Sequence, residues 1–447
     1  MKREALSHPV AIAGVLVTIG SLAVFITLMI AVFAGLMTNP YIGIVVLVAL
    51  PAFFLIGLGM VAVGVRLRKR ALERDPTLGE WPVVDFRRVE VRRSVMMLAA
   101  LAPVLSVGVL LGGYSSLHWM ESPTFCGQAC HAPMEPQYVA WSAAPHAQIP
   151  CVACHISNGA AGFVEAKLNG VRQLALVATN SYPRPIPPGA KMHPGGQAET
   201  CRACHKPERA VGDRLRVIRE YADDETNTES ATMLQMHLGA GPGSSSRSIH
   251  WHANPAIKVE YVATDPARET IPYVRVTDAN GRVKEYVAPD TPQEVIKGGA
   301  RRVMDCIDCH NSVGHPIAAA PERAVDNAIA AGQVSKDLPF VRREAVRLLT
   351  ASHATKDEAD RAIDEGLRGF YASLGRPTDH AEVTRSIRAL QTVFGQNVFP
   401  AMKVTWGSYP DNRGHVTATG CFRCHDDSHA ASDGTTISAD CEYCHAQ

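Results

Sequence analysis

The run "FCGQACHAPM", residues 125–134, sets two cysteines three residues apart, Cys126 and Cys130, with His131 directly after them. Five further runs follow the same plan with one residue fewer: Cys151-Cys154-His155, Cys201-Cys204-His205, Cys306-Cys309-His310, Cys421-Cys424-His425 and Cys441-Cys444-His445. All twelve cysteines of the 447-residue chain are used in this way. Cys-x-x-Cys-His is the attachment pattern of c-type haem. Two thiols add to the vinyl groups, and the adjacent imidazole is held against the iron. Disulfides or tetrahedral zinc sites would also use cysteine pairs. Neither requires a histidine after the second cysteine, and here it stands there six times in six. The reading is six covalent haem c groups, one of them at a site with a longer loop.

Working outward to the N-terminus, three uncharged stretches appear at 10–37, 41–65 and 94–114. Each exceeds the roughly 20 apolar residues a membrane helix needs. The first is too long for the apolar part of a signal peptide, so a retained anchor is expected. The loop 66–93 carries nine Lys/Arg against five acids, and Lys2 and Arg3 precede the first span. By the positive-inside rule these parts are cytoplasmic. Three spans then put everything after about residue 115 on the periplasmic side of a bacterial inner membrane, where c-type haem is attached. Beyond residue 114 there are 33 basic and 37 acidic residues, a balance that argues against a nucleic-acid partner.

The motifs group as three in 126–205, one at 306–310 and two in 421–445. The stretches "IKVEYVAT", "IPYVRVT" and "RVKEYVA" within 257–288 alternate in strand fashion, with "DANG" as a turn. "ERAVDNAIAAG", "VRREAVRLLTASH", "KDEADRAIDEGLRGFYASLG" and "DHAEVTRSIRALQTVFG" repeat apolar residues at helical spacing. "GAGPGSSSRS" (239–248) reads as a link. The fold class that results is a mainly α and irregular multihaem cytochrome c with three N-terminal transmembrane helices and a small β-hairpin or sheet insertion. The expected divisions are a membrane domain (1–115), a three-haem domain (116–206), a linker with a small β region (207–305) and a helical region with three haems (306–447).

Six irons call for second axial ligands, usually histidine or methionine. His118, His146, His193, His237, His250, His252, His315, His353, His380, His415 and His429 are the candidates, besides Met134. His250 and His252 stand out in "SIHWHANP", and His353 and His380 read as surface residues on helical stretches. Which candidate serves which motif is open, because a partner can come from far along the chain.

The segments "SPTFCGQACHAPMEPQYVAWSAAPHAQIPCVACHI" and "GFVEAKLNGVRQLALVATNSYPRPIPPG" resemble the NapC/NirT family of membrane-anchored quinol dehydrogenases. The wider layout is similar to the larger inner-membrane branch typified by ImcH. The resemblance implies a first haem that takes electrons from menaquinol or ubiquinol and is ligated by a methionine just after its motif. Met134 stands one residue later than the family's C-H-x-M arrangement would put it. The family's quinol-site lysine corresponds to Lys167, while Leu174 stands where its acidic companion would be. The implied partners are the lipid bilayer, the membrane quinol pool and a periplasmic cytochrome or terminal reductase. Two other functions fit the motifs: a terminal reductase of a small oxyanion, and an electron-transfer subunit of a larger respiratory complex.

Overall fold

The computed structural model describes residues 8–33, 50–75, 89, 92–93, 114–115, 118–129, 131–156, 160–187, 197–206, 209, 212–239, 248–377 and 379–446. The expected third span (94–114) falls outside them except for its last residue, as do Cys130, His193 and most of the 239–248 link. The chain forms two units, Met1–Trp119 with Asn158–Leu168, and Met120–Ser157 with Asn169–Gln447.

In the first unit, α1 (Pro9–Phe33) and α2 (Leu50–Arg74) are long and apolar enough to cross a membrane. They pack along a seam of small residues. A Cβ on Gly64 would run into Ala11, and one on Gly57 would run into Thr18. Such seams let helix backbones approach where no hydrophobic force between helices exists. The hydroxyl of Thr18 donates to the Gly14 carbonyl at 2.8 Å, so it stays satisfied inside an apolar helix. The second helix runs on to Arg74, past the expected end at residue 65. Residues 66–74 keep leucine and alanine between the Lys and Arg residues, whose long stems let the charged heads reach water while the helix continues.

The second unit begins with a single π-helical turn, Phe125–Ala129, followed by α3 (His131–Ser142). Then come α4 (Cys151–His155), α5 (Ala160–Ala178), whose residues up to Leu168 count with the first unit, and α6 (Gln197–Cys204). Next are β1 (Asp213–Tyr221), β2 (Glu229–His237), β3 (Lys258–Val262), β4 (Tyr273–Thr277) and β5 (Val283–Val287). The chain continues with α7 (Gln293–Gly298), β6 (Arg301–Val303), α8 (Cys306–Cys309), α9 (Pro321–Ala330), α10 (Val341–Thr350), α11 (Lys356–Ser373) and α12 (Ala381–Asn397). The strands β7 (Ala430–Ala431) and β8 (His445–Ala446) close it.

Two antiparallel sheets form, in the orders β1-β2-β8 and β6-β3-β4-β5-β7. The strands expected at 257–288 are β3 to β5. Gly281, at φ +78°, closes the "DANG" turn, where the Asp278 carboxylate accepts from the backbone of Asn280 and Arg282. The β1–β2 hairpin lies in what was read mainly as linker. The edge strands tie the sheets to the motifs: β6 ends three residues before Cys306, and β8 contains His445 itself.

Helices α9 to α12 form the main apolar core, with Val325, Leu338, Ala345, Leu349, Ile363, Leu367, Ile387 and Leu390 buried. Their bounds follow the sequence pattern closely. Gly332 and Gly375, at φ +69° and +76°, end α9 and α11. Thr355 caps α11 by accepting from the Glu358 amide at 3.2 Å.

Candidate haem sites

The extra residue of the first motif is absorbed in the π turn at Phe125–Ala129. A π turn closes over five residues rather than four and is common at functional sites. Gly127 is needed within it, since a Cβ there would overlap the Tyr138 ring on α3. Met134 is half-buried on the first turn of α3.

In each of the other five motifs the histidine faces one further histidine. His155 faces His315 with ring centres 6.0 Å apart, and His205 faces His146 at 6.0 Å. His310 faces His250 at 6.2 Å, His425 faces His252 at 5.9 Å, and His445 faces His415 at 6.3 Å. A metal–imidazole bond is about 2.0 Å and the ring nitrogen sits about 1.1 Å from the ring centre, so one iron between two imidazoles separates their centres by about 6 Å. Ordinary aromatic pairs span the same range, so the distance alone does not decide. The pattern does: five times, one motif histidine meets one non-motif histidine.

Ring orientation points the same way. The Nδ1 of His315 donates to the Gln137 carbonyl at 2.8 Å, that of His250 to Leu238 at 2.9 Å, and that of His252 to Ile249 at 3.0 Å. His146 makes a longer contact of this kind with Val313 at 3.3 Å, and His425 a short one with Ser438 at 2.8 Å. A carbonyl only accepts, so Nδ1 carries the proton and the neutral ring keeps Nε2 free to ligate. Burial pushes His252 and His315 below the ordinary histidine value, which favours that neutral form. His250 and His252 share one short 3-10 turn, Ile249–Ala253, yet face the histidines of two different motifs.

His237 and His429 are held by carboxylates, and of the two His429 alone has both ring nitrogens taken. His429 is 2 % exposed, and both its ring nitrogens are taken, Nε2 by the Ile271 carbonyl at 2.7 Å and Nδ1 by Asp426 at 2.9 Å. It ties the sheet to the fifth motif and has no nitrogen left for a metal. The Nδ1 of His237 pairs with Asp213 at 3.0 Å across the β1–β2 hairpin. Lys167 lies half-buried on α5.

The motifs also touch in order. The Cys151 thiol hydrogen-bonds with Cys126, and Cys154 lies within electrostatic reach of Cys204. Cys201 hydrogen-bonds with Cys306. Cys309 is within reach of Cys421, and Cys421 of Cys444. The first motif therefore neighbours the second, the second the third, and so on to the sixth. The described cysteines form no disulfide, and among the described residues no group of three or more His, Cys, Asp or Glu is arranged to hold a bare metal ion. Paired thiols with two opposed imidazoles fit a porphyrin iron, whose other four ligands come from the macrocycle.

This is the arrangement of a multihaem c-type cytochrome. The chain is 36 % identical to the cytochrome c-type protein ImcH of Geobacter sulfurreducens over 448 aligned positions, 98 % of this chain and 87 % of the relative, and it belongs to that family. No family model matches the chain, and no solved structure does.

Proposed function

We propose that the chain is a membrane-anchored cytochrome of the quinol dehydrogenase type. It oxidises menaquinol or ubiquinol at the periplasmic side of the inner membrane and relays the electrons to a periplasmic cytochrome or terminal reductase. The observation that carries this reading is the succession of six motifs, each beside the next, five of them with a facing histidine. Haem c held at these motifs supplies reversible one-electron chemistry. The protein's part is to hold and orient: the cysteine pairs would fix the group, and the facing histidines, five of them anchored by backbone carbonyls, would ligate its iron.

Facing histidines at five of the six motifs favour a relay over a terminal oxyanion reductase, which needs an open coordination position. The entry end is assigned to the first motif, which follows the apolar N-terminal region directly in the chain. Met134 stands on the first turn of α3, close after the first motif in the chain, and would serve that motif's group as a methionine ligand. Helix α5, which carries Lys167, exposes Val164, Leu168, Val171 and Leu174 along one stripe. An exposed apolar helix face beside a cation suits the membrane–water boundary and a quinol headgroup.

The test is anaerobic addition of a menaquinol analogue to the protein in lipid, followed in the haem α-band. Rapid reduction is expected, and Met134→Leu is expected to slow it while dithionite still reduces every haem. No reduction by quinol, with full reduction by dithionite, would contradict quinol entry.

A further inference from the structure

The variable residues inside the fourth and fifth motifs carry buried charge, which is rare unless it is paired. Asp308, between Cys306 and Cys309, is 1 % exposed, and Arg423, between Cys421 and Cys424, is 7 % exposed. The Asp308 carboxylate is fully partnered. It accepts from the Tyr261 hydroxyl at 2.7 Å, Arg302 Nε at 3.1 Å and the Asp305 amide at 2.8 Å, with Arg268 Nη1 at 3.4 Å. The bond from the Asp305 amide is one half of a capping box on the short helix α8, in which the Asp305 side chain accepts in return from the Asp308 backbone.

Arg423 is held differently. Its guanidinium donates to three carbonyl oxygens: Gly420 at 2.8 Å, Arg268 at 3.0 Å and Asp308 at 2.7 Å. Carbonyls satisfy its N–H groups without cancelling its charge. The last of these bonds crosses from the fifth motif to the backbone of the fourth, and Asn412 adds a second donor to the same carbonyl at 3.3 Å.

We propose that Arg423 is a positioning residue shared by the fourth and fifth motifs, whose head group fixes their spacing and whose charge favours the reduced state of the groups they hold. The physical ground is simple. Taking up one electron lowers the positive charge at an iron site by one, and a cation fixed nearby in a low-dielectric region favours that change. Asp308 has the opposite sign, so neutralising it acts in the opposite direction. The inference rests on reading 306–310 and 421–425 as attachment sites.

The experiment is a spectroelectrochemical titration of the full-length holoprotein, with mass mapping of the haem-bearing peptides. In Arg423→Gln, one or two of the one-electron steps are expected to shift about tenfold toward the oxidised form, a fall of 59 mV for a one-electron couple. Arg423→Lys keeps the charge and is expected to stay within about threefold of the parent. Asp308→Asn is expected to shift the same steps upward. Superimposable titrations of Arg423→Gln and the parent would overturn the proposal. So would shifts of the same sign in Arg423→Gln and Asp308→Asn, which mark a merely structural role. Peptides 306–310 and 421–425 without haem would overturn the attachment reading itself.

Discussion

Residues 321–397 and the six motif segments belong to one unit but are held together by different forces. The four helices α9 to α12 bury a continuous set of Val, Leu, Ile and Phe side chains, with caps and glycine stops where the chain turns. The motif segments have short helices, four residues at α8 and five at α4, and only small apolar clusters nearby. Helices that short do not persist through their own hydrogen bonds. What organises them is long-range: His315, just after the fourth motif, faces the second, and His146, just before the second, faces the third. One region is built by hydrophobic burial, the other by histidine pairs that span the sequence.

The sharpest way to break this comparison is to remove one histidine from each class. His252→Ala is expected to cost one iron its second imidazole, seen as loss of about one sixth of the low-spin signal in the electron paramagnetic resonance spectrum. His429→Ala removes a more deeply buried ring but is expected to leave that signal whole. Its cost is the Ile271 carbonyl left without its ring donor, about 1–3 kcal/mol. Equal spectra for the two variants would erase the distinction between ligand and structural histidine.

On the other side, Leu367, fully buried in α11, is expected to lose about 2–5 kcal/mol on replacement by alanine. Thr355→Ala is expected to lose about 1 kcal/mol through its cap. Both are measured by thermal unfolding, with haem spectra unchanged below the transition. A changed axial-ligand spectrum in Leu367→Ala would mean that the helical core and the motifs do not separate as described.

These two regions also differ in how far the sequence could be read. Helices α9 to α12 and strands β3 to β5 show as local periodicity, because each needs only its own apolar pattern. The cysteines and motif histidines show as spacing, because thioether attachment is local chemistry. The facing histidines do not. His415 and His429 look alike in sequence, and only packing turns one ring toward His445 and occupies both nitrogens of the other. The hairpin β1–β2 was hidden by arginines alternating with Leu215 and Val217, both exposed, so no apolar face marked it. The π turn at the first motif was legible only as one residue too many.

The central claim is that five imidazole pairs and one methionine-bearing motif hold six haems. Near-infrared magnetic circular dichroism of the oxidised full-length protein, with haem quantified against protein, tests it most directly. The account predicts six haems per chain, five with the bis-histidine charge-transfer band and one that differs and changes in Met134→Leu. Fewer than six haems, or more than one site without paired imidazoles, would contradict it.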